Sequence, residues 1–554
     1  MTKGSNNIHA LSPDKQFLIR QAMQELDRRY DQQVGMVWGE GEHHDTRESG
    51  HYALGLLLRG EEEDIQRASR IIDCVLDTQL TERGEIYEGT FRAAPELQAP
   101  PSGHTAWGTF SPGYGYAQQD ALAEVYRRFV QYAQLEGRSD IEAGFRRAID
   151  EVFPRVWESF DPNWREFIAC TFAVILEHFE DWLPVEQVAR MDEAMQRAVT
   201  TSLERYISQS IPTNTNIELM HLFIAHYYGH RYERLDWINH VEQGAAALLN
   251  DYMELHSFAE FNSSTYYGVD LTVLGMWRKY GRSDSFRMIG LQLEHGLWED
   301  IGEFYSPTME NICGPFARSY ENEITGHSSI GVLLYLALGE SHHHLTGINC
   351  ETSHDLLIAL VGVDVPKAVL HQLRQTQEER FAYRQFKELC ERDLPGHNRH
   401  VCTAKAWLSP RLMIGGMTGS YNTNGQMHHA TAHWLDEQGQ RYSLRMVRRE
   451  VGQSWNTHLR GMAFQVETEA RNLDIVAHLD ANVPIELVFE IEGANLQQMQ
   501  ITADRWQLPG LIIQVDAQAP QPQLVQYGQR AEIVYPVQQG EQSWKQMQFR
   551  LYFM

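Results

Sequence analysis

Six stretches of this chain share one layout, a polar or Gly/Pro/Asn-rich lead-in followed by an apolar run with helical spacing. They begin near Asp45, Phe110, Asp161, Asn214, Asn262 and His327, at intervals of about 48 to 65 residues. A helical hairpin with its loops takes roughly 40 to 50 residues or more, so the period is that of stacked helix pairs. Within the stretches apolar residues recur in steps of three and four. Phe167, Ile168, Phe172, Ile175 and Phe179 share one face; Leu219, Met220, Phe223 and Ile224 share another; Leu271, Leu274 and Trp277 share a third. Further amphipathic helices fall between them, at 184–207 and 232–254. The pattern predicts six inner helices alternating with outer ones, closed into an (α/α)6-type helical toroid. An open solenoid of irregular pairs would use the same periodicity. Closing the ring would gather the polar lead-ins at one mouth.

The character changes after Asp393-Leu394-Pro395-Gly396. Ala404–Leu408, Leu412–Thr418, His429–Leu435, Tyr442–Val447, Ile485–Ile491, Gly510–Val515 and Met547–Tyr552 read as strands, and Asp436-Glu437-Gln438-Gly439 as a hairpin turn. A chain of 554 residues is too long for one core. The expected division is a helical (α/α) toroid domain over 1–392 and a β-rich domain over 393–554, an antiparallel β-sandwich.

Charge narrows the partners. A formal net charge of -27 repels phosphate backbones and anionic lipid, so neither nucleic acid nor a membrane is expected. It also argues mildly against a polyanionic substrate, although a local basic cleft can override a field screened over roughly 10 Å. The six cysteines are scattered without a CxxC pair and imply no disulfide framework. Residues 1–11 lack a basic start followed by an apolar core, and no run approaches the ~20 apolar residues of a membrane span, so a cytoplasmic location is expected. Aromatics make up 11% of the chain, enough either to stack on sugar rings in a cleft or simply to fill a large core.

Helix N-termini gathered at a mouth present backbone N–H groups and positive dipole ends, so the lead-ins are where chemistry is expected. In Glu260-Phe261-Asn262-Ser263-Ser264-Thr265-Tyr266-Tyr267-Gly268-Val269-Asp270, Asn262 or Ser263 could cap a helix from about Ser264 to Lys279. Tyr266 and Tyr267 then fall in its first turn, where a phenol beside a cation can exchange protons. Asp270 shares a face with Tyr266. Tyr267 also lies on a stripe with Leu271 and Leu274, the pattern of a core tyrosine; Tyr266 and Asp270 would then be the exposed pair. Asn216, in Pro212-Thr213-Asn214-Thr215-Asn216, is either a helix cap or a substrate contact. Arg318 and Tyr320, with His327 shortly after, supply a guanidinium, a phenol and an imidazole; Arg318 could equally pair with Glu321 or Glu323. Trp164 stands beside a carboxylate pair in Asp161-Pro162-Asn163-Trp164-Arg165-Glu166.

Glu42-His43-His44-Asp45-Thr46-Arg47 has no recognised metal spacing and reads as a cap with surface charge. His342-His343-His344 and His428-His429 are adjacent runs whose side chains diverge. Neither a metal nor a redox cofactor is expected. P-loop, dinucleotide, G-x-S-x-G and HExxH signatures are missing.

A helical toroid followed by antiparallel β-sheets resembles the polysaccharide lyases of the heparinase, alginate-lyase and chondroitin-lyase type. The resemblance spans nearly the whole chain as architecture. It implies an Asn, His or Arg that neutralises a uronate carboxylate, a Tyr or His that removes the C5 proton, and a Tyr that protonates the departing O4. The residues here that match are Asn216, Tyr267, Arg318 and His327. Tyr267 is then the expected base, Asn216 and His327 the neutralisers, and Arg318 a substrate clamp. Tyr266, Asn262, Asp270, Trp164 and Tyr320 are expected to line the binding site.

The implied activity is a carbon–oxygen lyase cleaving an acidic oligo- or polysaccharide by β-elimination. A toroid glycoside hydrolase would instead need two carboxylates across a cleft, from Asp45, Asp161, Glu166, Glu260 and Asp270. A sealed, aromatic-lined pocket would suit an intracellular dehydratase, isomerase or cyclase acting on a small apolar metabolite. A binding or assembly protein would have a shallow mouth without perturbed titratable groups. The expected partner is a glycan or small molecule, with self-association left open.

Overall fold

The structure is a computed structural model. It describes residues 8–85, 87–99, 161–208, 214–375, 378–388, 400–420, 426–451, 462–479, 485–539 and 542–554, with scattered positions between 127 and 144. The lead-in at Phe110 lies outside the described residues. The chain divides into two compact units. The first takes in Met1–Thr213 and Met220–Val241; the second takes in Asn214–Leu219, Glu242–Cys390 and Asn398–Met554.

Helices fill the first part of the chain and antiparallel sheets the last. The helices start where the lead-ins end: α1 (Pro13–Arg29), α2 (Thr46–Arg59), α3 (Glu62–Leu76), α4 (Trp164–Phe179), α5 (Val185–Ser208), α6 (Thr215–Arg231) and α7 (Leu235–Leu255). Then follow α8 (Tyr266–Tyr280), α9 (Asp284–Phe304), α10 (Ile330–Leu338), α11 (Asp355–Val361) and α12 (Lys367–Arg374). Asp45 caps α2 by accepting from the Glu48 N–H at 2.7 Å. In the first unit α2 packs on α3 and α4, and α4 on α5, through apolar faces that include Leu54, Ile71, Phe172 and Met195. In the second unit α8 pairs with α9. Gly290 permits that approach, since a Cβ there would lie 2.5 Å from the Cβ of Trp277.

The two large sheets belong to the second unit; a small three-stranded sheet (Tyr30–Asp31, Met36–Trp38 and His44–Asp45) lies in the first. The strands are β1 (Arg380–Lys387), β2 (Val401–Leu408), β3 (Leu412–Thr418), β4 (Ala430–Leu435), β5 (Arg441–Glu450), β6 (Met462–Glu469) and β7 (Asn472–Leu479). After them come β8 (Ile485–Glu492), β9 (Gln500–Ile501), β10 (Arg505–Leu508), β11 (Leu511–Gln518), β12 (Gln523–Tyr527), β13 (Arg530–Pro536) and β14 (Gln546–Phe553). One sheet has eight strands in the order β12-β13-β8-β5-β4-β3-β2-β1; another has six, β6-β7-β14-β11-β10-β9. Strict alternation of exposed and buried residues along β14 marks a half-buried strand. Trp407, Ile414, Trp434, Leu444 and Phe489 of the larger sheet share one apolar core with Phe464, Ile475, Ile513 and Phe549 of the smaller.

The strands begin ahead of the boundary expected at 393. Arg380–Lys387 pairs with β2 along its whole length, but it is an edge strand whose exposed positions carry Phe381 and Tyr383. Only Ala382 and Phe386 are fully buried, so little alternation is left in the sequence to read.

The other face of the eight-stranded sheet is polar and carries a segment from the helical part. Phe316 exchanges two backbone hydrogen bonds with His428, at 3.1 and 2.9 Å. The Asn322 carbonyl accepts from His433 Nε2 at 2.6 Å, and the Tyr320 carbonyl from Arg445 at 2.7 Å. Gly415 in β3 makes room for this segment, because a Cβ there would lie 1.8 Å from the Gly314 carbonyl oxygen.

Candidate functional site

The Ser/Thr-rich lead-in to α8 holds two loops together. Ser263 Oγ caps the helix by accepting from the Tyr266 N–H at 2.9 Å, and donates to the Arg318 carbonyl. Ser264 Oγ contacts Ser319 Oγ and donates to the Glu321 carbonyl at 2.6 Å; Thr265 Oγ1 accepts from the Tyr320 N–H at 3.0 Å. Ser328 Oγ donates to the Ser264 carbonyl. These hydroxyls satisfy backbone groups that a buried loop would otherwise leave unpaired. They fix Arg318 and Tyr320 beside the first turn of α8.

Asn262 anchors the same junction from beneath. It adopts a left-handed φ of 51°, which Asn tolerates better than most residues. Its amide donates to the Cys313 and Pro315 carbonyls at 2.7 and 2.9 Å and is fully buried. It therefore builds the site and does not face a ligand.

The side chains gathered there are two phenols, a guanidinium and an imidazole. Tyr266 donates its hydroxyl to the Tyr320 oxygen at 2.7 Å. The Arg318 guanidinium lies 4.1 Å from the centre of the Tyr266 ring. The His327 ring meets the Tyr320 ring edge-on at 4.8 Å. Burial pushes the Tyr266 phenol well above its ordinary range, with Arg318 opposing. Tyr266 is therefore a protonated donor at neutral pH. Tyr320 and His327 are partly open to solvent.

Arg318 pairs with Glu260, not with Glu321 or Glu323, and its Nε donates to Gln426 at 2.9 Å. The other Glu260 oxygen accepts from the Asn216 backbone N–H at 2.9 Å, so Asn216 joins the cluster through its main chain. Its side-chain oxygen is buried and finds no hydrogen-bond partner among the described residues. Asp270 is fully buried, and neither carboxylate oxygen has a hydrogen-bond partner there. Burial first, then the charge of Glu260, push its pKa well up against the pull of Arg318. It is a buried carboxyl group behind an ion pair.

Tyr267 is elsewhere. It is fully buried, and its hydroxyl donates to Asp300 at 3.2 Å, which in turn pairs with Arg384 at 2.8 Å. The stripe with Leu271 and Leu274 points it into the core. Trp164, half-buried at the start of α4, belongs to the first unit, as do Asp45, Asp161 and Glu166. Glu166 is buried and accepts from Ser202 at 2.6 Å, while Ser202 contacts His221 Nδ1 at 2.8 Å. Burial holds His221 down at about 3, a neutral structural histidine.

Sequence reasoning singled out neither Gln426 nor the surroundings of His327. Cys350 Sγ lies 2.9 Å from His327 Nδ1, and Glu351 Oε1 lies 3.5 Å from Nε2. Donor atoms of the three residues lie within 4.8 Å of one another, so they could hold a metal. Their separation along the chain hides this from any spacing rule. Further along the Tyr320 segment, Glu323 lines a cavity of about 180 Å³ with Glu310, Asn311, His433, Arg441 and Tyr442. Among the described residues, no helix is long and apolar enough to cross a membrane.

Solved structures similar to this chain include a heparinase III, at 9% identity and a TM-score of 0.38, covering 95% of this chain and 94% of that one. A heparan sulfate lyase mutant from Pedobacter heparinus has 9% identity and a TM-score of 0.32, covering 97% and 88%. The chondroitin AC lyase of Streptomyces coelicolor A3, in complex with chondroitin sulphate, has 9% identity and a TM-score of 0.45, covering 98% and 80%. No curated protein matches the chain by sequence. A family model described as "Domain of unknown function (DUF8769)" matches residues 16–114 and 147–361. That is more than half of the chain, and the protein belongs to this family.

Proposed function

We propose that the protein is a carbohydrate-active lyase that cleaves an acidic oligo- or polysaccharide by β-elimination at the Tyr266–Tyr320 pair. One observation carries the reading: two phenol oxygens 2.7 Å apart, one buried under a guanidinium and the other half-open beside an imidazole. β-Elimination needs a base at the carbon next to the carboxylate, an acid at the departing oxygen and a partner for the charge that develops between them. Tyr320 faces the substrate and takes the proton. Tyr266, hydrogen-bonded to the Tyr320 oxygen and held protonated by burial, keeps its own proton and stabilises the phenolate form of Tyr320, which takes the C–H proton and hands it to the departing oxygen. The C–H and C–O bonds break, a C=C bond forms, and the proton ends on the departing sugar oxygen, with no water added. His327 and Asn216 face the carboxylate, and Arg318 holds Tyr266 in place. The base role expected at Tyr267 thus passes to its neighbour. The expected toroid and sandwich complete this reading, with the phenols at the mouth of the ring.

The test is incubation with a panel of uronate-containing glycans while following the ultraviolet absorbance of the unsaturated product. Absorbance that grows with wild-type enzyme supports the proposal. Silence across the panel at high enzyme concentration removes it.

The second reading, a glycoside hydrolase, rests on Glu260 and Asp270, one ion-paired with Arg318 and the other with its pKa raised by burial and by the charge of Glu260, as a base and an acid. Both are fully buried, which weighs against it. New reducing ends without unsaturation would favour it.

A further inference from the structure

The loop carrying His327 and the loop carrying Cys350 and Glu351 are stapled together by one asparagine. Asn349 Nδ2 donates to the Thr325 and Gly347 carbonyls, both at 3.1 Å. Its Oδ1 accepts from the Glu351 N–H at 2.7 Å, and its own N–H donates to Thr352 Oγ1 at 2.8 Å. The positions of an imidazole, a thiol and a carboxylate are therefore set by backbone hydrogen bonds, independently of one another's chemistry.

We propose that His327, Cys350 and Glu351 form a site for a borderline divalent transition metal of the zinc class. Donor type argues for this class: thiolate and imidazole select zinc-like ions over magnesium or calcium, which take oxygen donors. Charge agrees, since a thiolate and a carboxylate together neutralise a dication. Geometry agrees too. Tetrahedral Zn–S and Zn–N bonds of ~2.3 and ~2.1 Å set an S-to-N edge of about 3.6 Å. The contact of 2.9 Å between Cys350 Sγ and His327 Nδ1 has to open by a fraction of an ångström, within the reach of side-chain rotation. The His327 side chain is 38% exposed and that of Glu351 13%, so a fourth position faces solvent. Three protein ligands with one open position is the arrangement of a site that binds a water or a substrate oxygen. The edge-on contact between His327 and Tyr320 puts this metal one ring away from the phenol pair.

The Cys350–His327 contact is also that of a thiol activated by an imidazole, and the experiment separates the two. The chelator-stripped full-length protein is titrated with Co²⁺ as the spectroscopic probe. The expected result is one equivalent bound, with visible bands of tetrahedral Co²⁺ and a near-ultraviolet thiolate-to-cobalt charge-transfer band, all displaced by Zn²⁺. Cys350→Ser should abolish the charge-transfer band, and Glu351→Gln should weaken binding at least ~10-fold, as loss of even an outer-sphere partner can do. Melting curves of each variant establish that it folds; Glu351→Gln, which keeps the size of the side chain, carries the test if Cys350→Ser does not. The proposal falls if Co²⁺ binds wild type no better than a His327→Gln/Cys350→Ser/Glu351→Gln variant. It also falls if binding produces no charge-transfer band, or if Cys350 alkylates at a rate that saturating Zn²⁺ leaves unchanged. None of these readouts depends on lyase activity.

Discussion

Replacing Tyr267 by phenylalanine removes one oxygen from the core and isolates what that oxygen does. The hydroxyl donates to Asp300, at 3.2 Å, and Asp300 is fully buried against Arg384. Burial pushes Asp300 up to about 7 from 3.8, while Arg384 and the Tyr267 hydroxyl pull it down. A carboxyl group raised on folding contributes stability that is complete below about 3.8 and is lost as pH rises through about 7. The amplitude of that loss is on the order of 4 kcal/mol. Removing the hydroxyl raises the folded-state pKa further and extends the loss above neutrality. A hydrogen bond to a neutral acceptor is worth ~0.5–1.5 kcal/mol and one to an ion ~1.5–3, and a long bond falls at the lower end of each. Tyr267→Phe should therefore cost about 0.5 kcal/mol at pH 5 and about 1.5 at pH 8.5. Denaturant midpoints at the two pH values measure this. In an Asp300→Asn background the pH dependence should vanish, because no charge remains for the hydroxyl to meet. Turnover should stay within a few-fold of wild type. An equal cost at both pH values, or a turnover loss of ~10²-fold, would refute the assignment of Tyr267 to the core.

Tyr266→Phe should keep the fold, since the ring still stacks under Arg318, and should lower turnover by ~10²-fold or more, read as initial rate at saturating glycan. Asp270→Asn removes a carboxyl group whose folded pKa is raised by burial, so its melting temperature should exceed wild type at pH 8 and the gain should shrink as pH falls toward 4. Arg318→Met removes the cation that pairs with buried Glu260 and should cost ~3–5 kcal/mol, while adding Glu260→Gln should recover much of it; melting of the single and double variants checks both.

How much of this was legible in the sequence depends on the range of the interaction. The helices after Asp45, Asp161, Asn214, Asn262 and His327 were readable because capping residues and a 3.6-residue stripe are local signals. So were β2 to β5, whose apolar residues alternate or run together, whereas the edge strand β1 puts Phe381 and Tyr383 on its solvent side and Arg380 and Arg384 on the face of Ala382 and Phe386. The pairing of Tyr266 with Tyr320 was half-legible: both were candidates, but only tertiary structure decides which of two adjacent tyrosines turns inward. The stripe with Leu271 offered the core for Tyr267, but the expectation placed the base there; the structure buries it fully. Arg318 was found, but its partner Glu260 is 58 residues away and could not be. Gln426 and the Cys350–Glu351 pair reach the site from separate loops and left no periodic trace.

The account stands or falls on whether bond cleavage occurs by elimination at the phenol pair. Mass spectrometry of the products from a defined uronate oligosaccharide tests this most directly. Elimination predicts two fragments whose masses sum to that of the substrate, one of them absorbing in the ultraviolet, with both products lost in Tyr266→Phe. Fragments that together gain the mass of one water, or elimination products made at the wild-type rate by Tyr266→Phe, would contradict it.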